Sequence, residues 1–151
     1  MEEIILNHND QKNMTNILLV EDDEVDVMNV KRAFKKNNIT NSLYMASNGL
    51  EALALLRGTQ ENVKIPQQRR LILLDLNMPK MNGIEFLREL RSDPQLRSIP
   101  VIVLTTSCDD KDKVEAYELN VAGYILKPVT FSNFVDTVAT LNKYWTLSEM
   151  P

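Results

Sequence analysis

This chain has a single cysteine, Cys108, so no internal disulfide can form and no metal-type cysteine spacing exists. That usage fits a reducing, cytoplasmic setting. Glycine is scarce, with four residues, and neither G-x-G-x-x-G nor G-x-x-x-x-G-K-[ST] occurs. The phosphate loops of nucleotide-binding proteins are therefore missing. No run of Lys/Arg exceeds a pair such as Lys35-Lys36 or Arg69-Arg70, and the net charge is −4. Nucleic-acid binding through a basic patch is disfavoured. No apolar run approaches the ~20 residues of a membrane span. The start, Met1 to Asn7, lacks the basic flank and long apolar core of a signal peptide.

What is present is ordinary for a folded domain: 151 residues, 44% hydrophobic and 25% charged. Residues 1–14 are mostly polar and are expected to form a flexible arm. Residues 15–151 read as one domain. The residues after Lys127 leave room for one helix and no output domain.

Strand and helix signals alternate through that domain. Apolar runs at Ile17–Val20, Leu71–Leu74, Val101–Leu104 and Gly123–Leu126 read as buried strands, and the mixed segment Asn41–Ala46 as a weaker one. Helices are expected from Glu24 to about Asn37, over Asn48–Arg57, after Asn82-Gly83, over Asp109–Leu119, and from Thr130 onward. The last carries Phe131, Phe134, Val135, Val138, Leu141 and Trp145 at helical spacing. Five strands alternating with five helices imply an α/β fold, a (βα)5 doubly wound five-stranded parallel sheet.

In such a sheet the carboxyl ends of the strands form the binding edge. Glu21-Asp22-Asp23 follow the first strand, Asp75 the third, Thr105-Thr106 the fourth and Lys127-Pro128 the fifth. Each has a bland reading: acids and threonines cap helices, a lone Asp makes a turn, and a lysine before proline is solvated. Four such groups on one edge are harder to dismiss. Glu21, Asp22 and Asp75 would repel one another without a cation, and oxygen donors of this kind suit Mg²⁺. Asp75 could attack a phosphoryl group while Lys127 and the Thr105 hydroxyl neutralise its oxygens.

These residues resemble the receiver domain of two-component response regulators, over about Asn16 to Lys143. The resemblance rests on Ile17 to Asp23, Leu73-Leu74-Asp75-Leu76-Asn77-Met78-Pro79-Lys80-Met81-Asn82-Gly83, Pro100 to Thr105, and Gly123 to Pro128. It implies a flavodoxin-like receiver fold with Asp75 as phosphoacceptor. Asp22, Asp75 and the Asn77 carbonyl would bind Mg²⁺, with Glu21 acting through a metal-bound water. Thr105 would be the switch hydroxyl, Tyr124 the aromatic that follows it inward, and Lys127 the phosphoryl anchor before a cis Pro128. The loop after the fourth strand would move inward when the phosphoryl group arrives.

A narrower resemblance joins Leu104-Thr105-Thr106-Ser107, Ala116-Tyr117-Glu118-Leu119 and Lys143-Tyr144-Trp145 to the stand-alone regulators of cyanobacterial phytochromes. It implies a phytochrome-type sensor histidine kinase as phosphodonor, a homodimer and an unknown downstream protein. The last helix is expected to overshoot the sheet, leaving Tyr144, Trp145 and Leu147 as dimer contacts. Two rival readings remain. Haloacid-dehalogenase-type phosphatases share the Asp, the cation, the hydroxyl and the lysine. They need a second Asp two residues on, where this chain has Asn77, which cannot shuttle a proton. The other rival is a receiver-like binding module that is never phosphorylated.

Overall fold

The structure is a computed structural model and describes residues 14–59 and 65–151. Nearly all of the expected arm, 1–14, lies outside the described residues. The five strands are β1 (Asn16–Val20), β2 (Leu43–Ala46), β3 (Arg70–Leu74), β4 (Val101–Thr105) and β5 (Gly123–Leu126). All pair in parallel, in the order β2-β1-β3-β4-β5. The helices are α1 (Glu24–Lys36), α2 (Gly49–Arg57), α3 (Gly83–Ser92), α4 (Asp110–Glu118) and α5 (Phe131–Leu147).

Alternation along each strand sends successive side chains to opposite faces. Leu18, Val20, Ile72, Leu74, Val101 and Val103 pack with residues of α2 and α3. Ile17, Leu19, Leu71, Leu73, Ile102 and Leu104 pack with residues of α1 and α5. Strands β3 and β4 are buried along their whole length, which explains their near-continuous apolar runs. Edge strand β2 is mostly half-buried and begins at Leu43, later than expected. Asn41 instead donates its side-chain amide to the Thr15 carbonyl at 2.9 Å.

Local chemistry fixes the helix ends. The Asp23 side chain caps α1 by accepting from the amides of Val25 and Asp26. Asn82 and Glu85 form a reciprocal capping box on α3. Gly58, at φ 72, closes α2 in the left-handed conformation. Gly83 has a different reason to be glycine. A Cβ there would lie 2.7 Å from the Asp75 carbonyl oxygen and 2.6 Å from Leu76 Cα. The start of α3 is thus pressed against the loop that carries Asp75.

One expectation is overturned at the far end of α5. Trp145 is 1% exposed and packs against Phe34 of α1, with ring centroids 5.9 Å apart. The extra turns of α5 lie along α1 rather than beyond the sheet, so Trp145 is a core residue and not a dimer contact. Tyr144 and Leu147, on other faces of the helix, are exposed.

Candidate functional site

The parallel order gathers the ends of β1, β3, β4 and β5 at one edge. Asp75 directly follows β3; its amide donates to the Val20 carbonyl at 3.0 Å, so the sheet's own pairing holds it beside Glu21. Glu21 and Asp75 are buried, whereas Asp22 is exposed. Ligand oxygens of Glu21, Asp22 and Asp75 lie within 4.8 Å of one another. Three hard oxygen donors, with Asp22 facing solvent, form a donor set that fits a Mg²⁺-class cation retaining several waters. Asn77 stands exposed in the loop two residues beyond Asp75.

The other side of Asp75 carries a hydroxyl and an ammonium. Thr105, fully buried at the end of β4, donates from Oγ1 to Asp75 Oδ1 at 2.8 Å. Thr105 Oγ1 also accepts from the Ser107 amide at 3.2 Å, and the Tyr124 hydroxyl donates to the Ser107 carbonyl at 2.9 Å. Strand β5 thereby ties Tyr124 to the loop that holds Thr105. In the unmodified protein the Thr105 hydroxyl thus contacts the Asp75 carboxylate directly. Nor does Thr105 cap α4; Asp109 does.

Lys127 is the least expected in its contacts. Its Nζ lies 2.6 Å from Glu21 Oε2 and 2.9 Å from Asp26 Oδ2, but 4.0 Å from Asp75 Oδ2. The lysine side chain is 12% exposed, not solvated. Asp26 is the residue that sequence reasoning missed. It reads as one more acid suited to a helix N-terminus, and no local pattern signals a contact with Lys127, 101 residues away. The Lys127–Pro128 bond, implied to be cis, is trans, since no cis peptide occurs among the described residues. The isomers of such a bond differ by only about 0.5–1 kcal/mol in favour of trans, so local context decides.

Burial dominates the electrostatics of Glu21. It raises the carboxyl to about 7, against the opposing hydrogen bond and charge of Lys127, and the nearby Asp75 charge adds to the rise. Burial works against the Lys127 ammonium too. There the bonds to Glu21 and Asp26, with the charges of Glu21 and Asp75, outweigh it and raise its pKa. Burial also pushes the Tyr124 phenol up.

Residues 17–139 match the family model described as the response regulator receiver domain. The chain belongs to the response regulator receiver family. This receiver is 39% identical to the response regulator Rcp1 of a Synechocystis species, over 85% of the chain and 87% of Rcp1. It is 38% identical to the probable methanogenesis regulatory protein FilR2 of Methanothrix harundinacea, over 85% of the chain and 82% of FilR2. Among solved structures it resembles the phosphorylated cyanobacterial phytochrome response regulator RcpA. The TM-score is 0.81 and the identity 36%, over 91% of this chain and 99% of that one. A Mn²⁺-bound form of Rcp1 aligns with a TM-score of 0.79 and 38% identity, over the same shares of the two chains. The RcpA and Rcp1 structures share the fold on which this receiver's acidic cluster sits.

The structure therefore brings together Glu21, Asp22, Asp75, Thr105 and Lys127, and links Tyr124 to them through Ser107. Tyr144, Trp145 and Leu147 are not part of this edge. Trp145 lies at the amino edge, where the Thr15 hydroxyl donates to its carbonyl at 3.4 Å.

Proposed function

We propose that this receiver is a single-domain response regulator that accepts a phosphoryl group on Asp75 from a histidine kinase and signals to a partner protein by changing conformation. The observation that carries this reading is the setting of Asp75. Its carboxylate has two further acids within 4.8 Å, a hydroxyl at 2.8 Å and an ammonium at 4.0 Å. An Asp75 oxygen attacks the phosphorus of a phosphohistidine. The new O–P bond forms as the N–P bond breaks, and the electron pair leaves with the imidazole nitrogen.

Asp22 and Asp75, with the Asn77 carbonyl, are the proposed direct ligands of Mg²⁺, and Glu21 acts through a bound water. The cation supplies charge neutralisation for the phosphoryl oxygens. Lys127 and Thr105 hold the remaining oxygens, and Tyr124 relays the rearrangement of Thr105 and Ser107 to β5. Phosphorylation replaces the single carboxylate charge of Asp75 with a phosphoryl group carrying roughly −1.5 to −2 and three acceptor oxygens, and the contacts unique to the modified state bias the equilibrium. Asn77 in place of a second Asp counts against a phosphatase, which would need a proton shuttle there.

The likeness to Rcp1 and RcpA supports a phytochrome-type kinase as donor. Exposed Tyr144 and Leu147 on α5 support a homodimer through that helix. No helix among the described residues is long and apolar enough to cross a membrane. The test is phosphotransfer from an autophosphorylated phytochrome kinase, run against unrelated histidine kinases. Rapid transfer of label to this chain, and none to Asp75→Asn, is expected. Equal transfer from every kinase removes the phytochrome assignment; transfer from none removes the regulator reading.

A further inference from the structure

Asp26 has no place in the set of acids that can hold a cation, yet it makes one of the two shortest contacts to the site's only lysine. Lys127 has three N–H donors. Two are committed, to Glu21 at 2.6 Å and Asp26 at 2.9 Å, and the approach to Asp75 at 4.0 Å is too long for a hydrogen bond. The two anchors differ in how readily they can release the ammonium. Glu21 is 3% exposed and has no water to replace a lost partner, whereas Asp26 is 36% exposed and can exchange its partner for water. Beside them is a cavity of about 220 Å³ lined by Glu21, Asp26, Asn29, Lys127, Thr130 and Phe134 among others, so the lysine stem has room to change course.

We propose that Asp26 is a positioning residue that holds Lys127 away from Asp75 in the unmodified protein and competes with the phosphoryl group for the ammonium. This rests on the proposed receiver function. Phosphorylation then turns the lysine from Asp26 to Asp75, and the strength of the Asp26 contact sets how strongly the unmodified state is preferred. Helix α1, through Asp26, is thereby coupled to the strand end of β5. A change in α1 that moves Asp26 would alter the response of the site without touching Asp75.

The experiment measures beryllofluoride binding, with saturating Mg²⁺, to the full chain and to Asp26→Asn, Asp26→Glu and Asp23→Asn. Asp23→Asn removes a carboxylate from the cap of the same helix but keeps a capping side chain, so it reports the general effect of lost negative charge. Asp26→Asn is expected to tighten binding about three- to tenfold beyond Asp23→Asn, the worth of one partly exposed charged hydrogen bond. Asp26→Glu is expected to return toward wild type. The Lys127 Nζ resonance, followed by ¹⁵N NMR without beryllofluoride, should move in Asp26→Asn toward its position in the beryllofluoride complex and stay unmoved in Asp23→Asn. Equal effects of Asp26→Asn and Asp23→Asn, weaker binding by Asp26→Asn, or an unmoved Nζ resonance would each overturn the role of Asp26. Failure of the wild-type chain to bind beryllofluoride at all would instead overturn the receiver function, and this inference with it.

Discussion

Cation binding and proton binding should compete at Glu21, and the competition is measurable. Burial raises this carboxyl to about 7, from an ordinary value of 4.5. The folded state therefore keeps a proton that the unfolded chain has already released. Between pH 4.5 and 7 the unfolded state binds fewer protons, so stability falls as pH rises through this window. The full effect of such a shift is about 3 kcal/mol. Mg²⁺ needs the charged form, so its affinity should rise about tenfold from pH 6 to pH 8. Calorimetric titration with Mg²⁺ at several pH values measures this directly. Urea unfolding with and without Mg²⁺ provides the second readout: the cation should stabilise the protein most at high pH. The only histidine, His8, lies outside the described residues. Glu21→Gln isolates the carboxyl, and in that variant the pH dependence of stability between 5 and 8 should flatten. An unchanged Mg²⁺ affinity across this range, or the same slope in Glu21→Gln, would refute the reasoning.

Three further outcomes are expected. Trp145→Ala should lose about 3–5 kcal/mol in urea unfolding, whereas Leu147→Ser, at an exposed position, should cost under about 0.5 kcal/mol. Gly83→Ala should force the Asp75 loop to shift, costing about 1–3 kcal/mol and slowing phosphorylation by acetyl phosphate. Thr105→Val should still be phosphorylated, but the Ser107 and Tyr124 amide shifts that accompany beryllofluoride binding in the wild type should be lost.

Much of the fold was legible because β1, β3 and β4 are covered on both faces and so read as uninterrupted apolar runs. Strand β2 was less legible because an edge strand tolerates polar residues, and Asn41 turned out to hold a loop rather than a ladder. The site residues were legible because each stands where a strand ends, and parallel pairing turns that common position in sequence into proximity in space. Asp26 and the fate of Trp145 were not. Asp26 acts through a contact made across the whole chain. The burial of Trp145 depends on the packing of α5 along α1, which helical spacing alone cannot specify. Tyr144 and Leu147, one residue before and two after Trp145, are exposed, so the apolar stripe gave the right helix but the wrong end of its buried face.

Every role proposed for this site depends on the reactivity of Asp75 toward phosphoryl groups. Intact-mass spectrometry of the chain after incubation with Mg²⁺ and acetyl phosphate tests it most directly. A single, hydrolytically labile phosphoryl adduct is expected, one that maps to Asp75, requires the cation and vanishes in Asp75→Asn. No adduct on the wild type, or one that persists in Asp75→Asn, would contradict it.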